Sequence, residues 1–326
     1  MNNIGRRQLA AAGACAGLGM IVADRILGGA EFHDRRKPRS HVAVVEADGY
    51  EDRLEDLLLP SIRALAGHLP GKTILLKPNL VEDLPGPVNT HPAVVRAAAN
   101  CFLNLGAKRV IVGEGPGNQR DSEAVLAASG LVPALRSIGV QFVDLNRDAL
   151  SPVKLKTNFS GLKRLWLPQT LLAADFVVSM PKVKTHHWAG ATLGLKNMFG
   201  VVPGAKYGWP KNLLHWYGID PCIVDIASSI RIDLVIADGI LAMEGDGPLL
   251  GRPRKFNRLV ISDDPVAADA TCARLMGFEP ARIPYLKMAG GFLGNLDEER
   301  IEFLDGHPSF PYEPFAVLAP FRHLLR

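Results

Sequence analysis

The sequence predicts an α/β fold: a mostly parallel sheet, or sheets, with helices on both faces. Three observations predict it. From His41 onward, short β-branched runs alternate with Ala- and Leu-rich segments of helical period, as parallel strands with crossover helices require. Several apolar runs stop on a charged residue followed by Pro or Gly, as at Lys77-Pro78, Glu114-Gly115 and Asp238-Gly239. Late in the chain, Asp264–Met276 reads as a strong helix, with Asp263 or Asp264 at its N-cap and Gly277 as its stop. Composition agrees: 326 residues of which 48% are hydrophobic exclude a disordered or collagen-like chain.

Taken in order, the chain opens on a charge anomaly. Residues 1–39 carry seven basic and three acidic side chains and so supply the whole net charge of +4, leaving the remainder balanced. Arg6-Arg7 precedes an uncharged stretch from Gln8 to Ala23, 16 residues long. That is short of the roughly 20 residues a membrane span needs but suits the apolar region of an export signal. Residues 1–30 are therefore expected to be a twin-arginine-like export signal with a small-residue cleavage site at Gly28-Gly29-Ala30, or, if uncleaved, a membrane anchor. Either places the protein in the periplasm or facing it. Because the excess charge sits there, a nucleic-acid partner is not expected, and a membrane is expected only through an uncleaved N-terminus.

Residues 40–326 form the α/β domain. His41–Val45, Thr73–Lys77, Arg109–Gly113 and Gln141–Asp144 read as strands, with helices at Leu54–Leu69, Pro92–Leu105 and Ser122–Ala128 between them. Phe176–Met180, Leu234–Asp238 and Leu259–Ser262 continue the strands. Between Met180 and Asp220 the periodicity fails, and a connection that long in a compact domain is usually functional. Of the four cysteines, Cys15, Cys101, Cys222 and Cys272, none forms a C-x-x-C pair, which excludes an iron-sulfur cluster and a zinc ribbon. Cys101 and Cys272 lie on apolar helical patterns and read as buried small hydrophobes.

Ligands of such sheets bind beyond the carboxyl ends of the strands, which directs attention to five constellations. Lys77 and Asn79 flank the proline that ends a strand and read either as an anion clamp or as a snorkelling strand terminus. His91, in Thr90-His91-Pro92, either serves a ligand or satisfies a backbone group at a helix start. Glu114 stands in Gly113-Glu114-Gly115-Pro116-Gly117, which brings a backbone close to a ligand but lacks the dinucleotide fingerprint. The densest group joins Lys182, Lys184, His186, Lys196 and Asn197 with Lys206, Lys211 and His215. Lysines so crowded are tolerable when an anion neutralises them or when one has a depressed pKa and acts as nucleophile or base. His215 is a candidate metal ligand. The last group is acidic: Glu244 and Asp246 lack an evident structural role and could hold a divalent cation or face the lysines.

With these residues in view, the chain resembles the prokaryotic family of domain of unknown function 362. The segments L-K-P-N-L-V, T-H-P, V-G-E-G-P, P-K-V-K-T-H, G-L-K-N-M-F-G-V-V-P-G, D-G-I-x-A-M-E-G-D-G-P and D-P-V-A-A-D-A-T occur in that order between residues 75 and 271. A more distant likeness is to the nickel-pincer lactate racemases. An Ala174-Asp175 strand start leads to a loop in which His186 precedes Ala189-Gly190 and Lys196 follows ten positions after His186, before Pro203-Gly204. Thr192 and Leu193 depart from that family's Ser and Gly. That second resemblance implies a catalytic role for His186, a lysine, Lys196, that holds the pincer nucleotide covalently, and His215 as the counterpart of a nickel ligand.

The expected function is that of an exported enzyme acting on a small anionic, carboxylate-bearing substrate, racemase- or epimerase-like if the distant likeness carries over. His186, Lys184 and Glu114 are its expected catalytic residues. Lys77, Asn79, His91, Lys182, Lys196, Asn197, Glu244 and Asp246 are expected to bind substrate or cofactor. The cofactor expectation admits a metal or a nickel-pincer-type nucleotide. The alternative is a non-enzymatic ligand-binding or redox-partner accessory protein.

Overall fold

Apolar strands and amphipathic helices assemble into one large sheet covered on both sides. A computed structural model describes residues 34–326 other than 52, 85, 118–120, 210 and 310–312, so the expected export signal lies outside the described residues. The first half holds β1 (Ser40–Glu46), α1 (Leu54–Leu65), β2 (Thr73–Pro78), α2 (Pro92–Asn104), β3 (Arg109–Glu114), α3 (Ser122–Ala128), α4 (Leu131–Arg136) and β4 (Gln141–Asp144). A β5 (Leu150–Lys154) and β6 (Arg164–Pro168) hairpin leads through α5 (Gln169–Ala173) to β7 (Phe176–Met180), β8 (Lys182–His186), β9 (Gly190–Thr192) and α6 (Gly194–Asn197). A 3-10 turn (Met198–Val201) precedes α7 (Gly204–Tyr207), α8 (Asn212–Trp216) and α9 (Ile219–Ser229). The chain closes with β10 (Leu234–Glu244), β11 (Arg252–Ser262), α10 (Pro265–Leu275), α11 (Pro284–Gly290) and β12 (Ile301–Phe303).

The main path of the ten-stranded sheet runs β12-β1-β11-β10-β7-β2-β3-β4, with β8 paired to β10 and β9 paired to β8. The centre, β10-β7-β2-β3-β4, is parallel throughout. Antiparallel pairing enters where β11 folds back along β10 and β1 joins it, and in the β8-β9 hairpin. Because β2, β3 and β4 step to one edge and the chain then returns to place β7 on the other side of β2, the strand order reverses at the β2–β7 boundary. A crevice opens at the carboxyl ends on either side of such a reversal, and here those ends carry Lys77 and Met180.

Strand alternation divides the core in two. Ile74, Leu76, Val110, Val112, Val178 and Ile236 face one side with Leu58 and Ile62 of α1, Val94 and Phe102 of α2, and Leu131 and Leu135 of α4. Leu75, Ile111, Val177, Val235 and Val260 face the other with Ile223 and Ile226 of α9, Ala270 and Ala273 of α10, and Tyr285 and Leu286 of α11. Both helix starts singled out in the sequence are capped. Asp264 accepts the Val266 and Ala267 amides at α10, and His91 Nδ1 accepts the Ala93 amide at α2. Gly277, at φ +80°, turns the chain out of α10. Cys101 and Cys272 are buried. Among the described residues, no helix is long and apolar enough to cross a membrane.

The region without periodicity is the main departure. Lys182–His186 is a strand buried along its whole length. Its period of two is carried by Lys182, Lys184 and His186 on one face and by Val183 and Thr185 on the other, so the signal is written in charge instead of hydrophobicity.

Candidate functional site

The carboxyl ends of β2 and β3 place Lys77 and Glu114 side by side. Both are buried; Lys77 Nζ bonds Glu114 Oε2 and donates to Asn197 Oδ1 at 3.0 Å and to the Pro78 carbonyl at 2.8 Å. Glu114 also accepts the Leu80 amide at 3.2 Å and the Gly115 amide at 2.8 Å. Asn197 in turn donates to Lys77 O and Ser179 Oγ, tying α6 to β2 and β7. The pair is neutral as a unit and fully hydrogen-bonded, which is what a buried ion pair needs to persist. Gly200 must lack a side chain here, since a Cβ would collide with both Glu114 Oε1 and Lys77 Nζ. Lys77 is thus neither a snorkelling terminus nor a free anion clamp.

Above this pair lies a cleft of about 230 Å³, lined in part by Asn79, Glu114, Lys184, His186, Thr192, Lys196, Lys211 and His215. Three lysines reach it, and Glu114, already matched to Lys77, is the sole carboxylate among its described lining residues. Lys184 Nζ has only the carbonyls of Val88 (2.7 Å) and Pro248 (3.4 Å) as acceptors. Burial pushes its pKa well below the ordinary lysine value, and the neighbouring Lys196 and Lys182 charges push it the same way. Lys211, at φ +69°, points its ammonium at the carbonyls of Gly115, Phe199 and Gly200, and burial lowers its pKa to about 7. Lys196 has no hydrogen-bond partner among the described residues; it lies 4.5 Å from the centroid of the Phe199 ring, and burial brings its pKa to about 8.

The two cleft histidines carry opposite tautomers. His186 Nδ1 accepts the Trp188 amide at 3.1 Å and the Ala189 amide at 3.2 Å, so in the neutral ring the proton sits on Nε2. Burial, reinforced by Lys196, His187 and Lys184, holds that ring well below the ordinary histidine range and therefore neutral. His215 Nδ1 lies 3.1 Å from the Lys211 carbonyl, which can only accept a hydrogen bond, so Nδ1 carries the proton and Nε2 holds a lone pair. Burial also lowers the pKa of His215. The cleft thus offers a neutral N–H donor and a neutral nitrogen base. Two further polar atoms in its lining, Asn79 Oδ1 and Thr192 Oγ1, are buried without a hydrogen-bond partner.

Several expected residues lie elsewhere. Lys182 belongs to a separate buried network: its Nζ donates to Asp238 Oδ2 at 2.6 Å, to Tyr50 Oη at 2.9 Å and to the Leu241 carbonyl at 3.1 Å. His91 stacks on Tyr50 with ring centroids 3.7 Å apart, gives its backbone N–H to Asp238, and caps α2, so its backbone-satisfying reading is the one realised. Glu244 faces arginines instead of lysines: it accepts Arg252 Nε at 2.7 Å and the Ala316 amide at 3.0 Å, with Arg254 3.7 Å away. Asp246 lies 3.7 Å from His187 Nδ1, outside the cleft lining. Among the described residues, no three His, Cys, Asp or Glu side chains converge as a metal site. Lys211 and Thr192, by contrast, join the cleft without having been singled out as binding residues. Density along the chain pointed toward Lys211, whereas Thr192 entered the sequence reading only as a departure from the racemases' Ser.

Residues 74–274 match the family model described as a domain of unknown function, DUF362. A thylakoid-associated protein of Synechocystis sp. is 32% identical over 263 residues, covering 74% of this chain and 76% of that one. Among solved structures, the lactate racemase apoprotein of Thermoanaerobacterium thermosaccharolyticum is similar with a TM-score of 0.46 at 12% identity, over 74% of this chain and 58% of that one. A Thermotoga maritima protein reaches a TM-score of 0.39 at 15% identity, over 65% and 56%. The match thus spans less than two thirds of either solved structure.

Proposed function

This chain belongs to the DUF362 family, and we propose that it is an enzyme that binds a small carboxylate-bearing anion in the lysine cleft and moves a proton on it. One observation carries the proposal: Lys184, Lys196 and Lys211 line a cleft whose sole described carboxylate is already committed to Lys77. Without a ligand, burying three amines together lowers their pKa values and leaves them partly neutral. An incoming carboxylate restores protons to Lys184 and Lys211, and the restored charge holds the anion. His215 Nε2 then serves as base and His186 Nε2–H as donor to the oxygen on which negative charge develops, the division of labour their tautomers favour.

Titration with lactate, pyruvate and phosphate, together with deuterium incorporation into ligand carbon in D2O, tests the reading. Saturable carboxylate binding that weakens in Lys184→Met, and exchange that is lost in His215→Ala, are expected. Absence of any anion binding would refute the proposal, and binding without exchange would reduce it to a ligand-binding protein. The same proposal includes export or anchoring through the Arg6-Arg7 leader. The name of the thylakoid-associated relative supports a membrane-proximal placement, and N-terminal sequencing of protein from periplasmic and membrane fractions checks it.

A further inference from the structure

The lysines of the site differ in what holds their protons. Lys77 is held by Glu114, Asn197 and a carbonyl; Lys182 by Asp238, Tyr50 and a carbonyl; Lys184 by two carbonyls; and Lys211 by three. A carbonyl accepts from an ammonium and is left facing a lone pair when the amine loses its proton, so at Lys184 and Lys211 these contacts oppose the lowering by burial and tie the nitrogen to the backbone. Lys196 alone has no hydrogen-bond acceptor among the described residues; its Nζ lies 4.5 Å from the centroid of the Phe199 ring, and the charges of Lys77, which lowers its pKa, and of Asp220 and Glu114, which raise it, act on it. It lines the same cleft as Thr192, whose Oγ1 is buried without a partner, and as Lys184, whose Nζ has two carbonyl acceptors.

We propose that Lys196 is a carbonyl-condensing residue that forms a protonated imine with a small 2-oxo acid, whose carboxylate is held by Lys184 and Thr192. The inference rests on the anion-binding reading and names its substrate class. The neutral Nζ of Lys196 attacks the ketone carbon, forming a C–N bond as the carbonyl π pair moves to oxygen. One proton passes from nitrogen to that oxygen, and a second comes from a neighbouring ammonium. The oxygen then leaves as water and the nitrogen lone pair closes the C=N bond. The resulting cation acidifies the adjacent C–H, which supplies the electron sink that the proton transfer proposed for His215 requires. The depressed pKa of about 8 supports the amine's availability. At pH 7 its neutral fraction is about two orders of magnitude above that of a lysine at 10.5.

The test treats the full chain with pyruvate and sodium cyanoborohydride, which reduces the imine to a stable secondary amine, followed by peptide mapping by mass spectrometry. The expected result is an adduct on Lys196 at least tenfold above any surface lysine. At saturating pyruvate its yield should rise with pH through about 8, not 10, and excess lactate, which carries the carboxylate but no ketone, should suppress it. Lys196→Arg should lose the adduct. If Arg disrupts folding, the lactate protection and pH profile of the unsubstituted chain decide alone. Pyruvate binding without a trapped adduct, or an adduct spread evenly over surface lysines, would overturn the imine while leaving the anion reading intact. Failure of both pyruvate and lactate to bind would overturn both.

Discussion

Replacing Glu114 by Gln removes one negative charge and almost no volume from beneath the cleft. The carboxylate accepts Lys77 and two backbone amides, and the new amide group must turn at least one N–H toward a donor it formerly received. Lys77 is then a buried cation without a counterion, close to the charges of Lys196 and Lys211. Breaking a buried pair from one side costs about 3–5 kcal/mol, which for a chain of this size lowers the melting temperature by about 10 °C. Lys77→Met together with Glu114→Gln removes both charges, so the double variant should recover on the order of 2 kcal/mol relative to the sum of the single losses. Urea denaturation of the four proteins, followed by tryptophan fluorescence and far-ultraviolet circular dichroism, supplies the cycle. A Glu114→Gln variant within about 1 kcal/mol of the parent, or a double variant with no coupling, would refute the buried pair as the support of the cleft.

Other substitutions separate stability from binding. Lys184→Met should stabilise the unliganded protein by about 1–3 kcal/mol, because it replaces a buried amine lacking a carboxylate partner, while weakening carboxylate binding; denaturation and calorimetry together check this. Thr192→Val should leave stability within about 1 kcal/mol, since its hydroxyl has no partner to lose, and should weaken carboxylate binding several-fold. Gly200→Ala should cost several kcal/mol by driving a methyl group into the Lys77–Glu114 pair, seen as a lowered melting temperature. On pH, Lys196 and Lys211 have folded pKa values of about 8 and about 7, below the unfolded lysine value, so the folded state holds fewer protons above those values. Stability gained from these two groups should therefore rise with pH from about 7 toward 10.5, whereas anion affinity should fall over the same range.

Much of the fold was legible because its signals are local. The Asp264 cap, the Gly277 stop and the strands read as ending at Lys77, Gly113 and Met180, each within one residue of the observed end, are specified within a few residues. The β8 strand was not legible as a strand, because its buried face is built from Lys182, Lys184 and His186, which read as solvent-exposed until their partners are known. The lysines' partners come from far along the chain, with Asp238 56 and Tyr50 132 residues from Lys182, and the Val88 carbonyl 96 residues from Lys184. The same distance problem misdirected Glu244: Arg252 meets it only because β10 and β11 fold back on each other. Sequence density located the cleft, whereas choosing Lys184, Lys196 and Lys211 over Lys182 and Lys206 required the register of β8 and the turn before α8.

The central claim is that a small anion recharges the lysine cleft. Calorimetric titration of lactate at pH 8, in buffers of different ionisation enthalpy, measures the protons taken up on binding. With Lys211 mostly neutral at that pH, on the order of one proton per bound anion should be absorbed. Binding enthalpies independent of buffer, or no binding by lactate or pyruvate, would contradict the account.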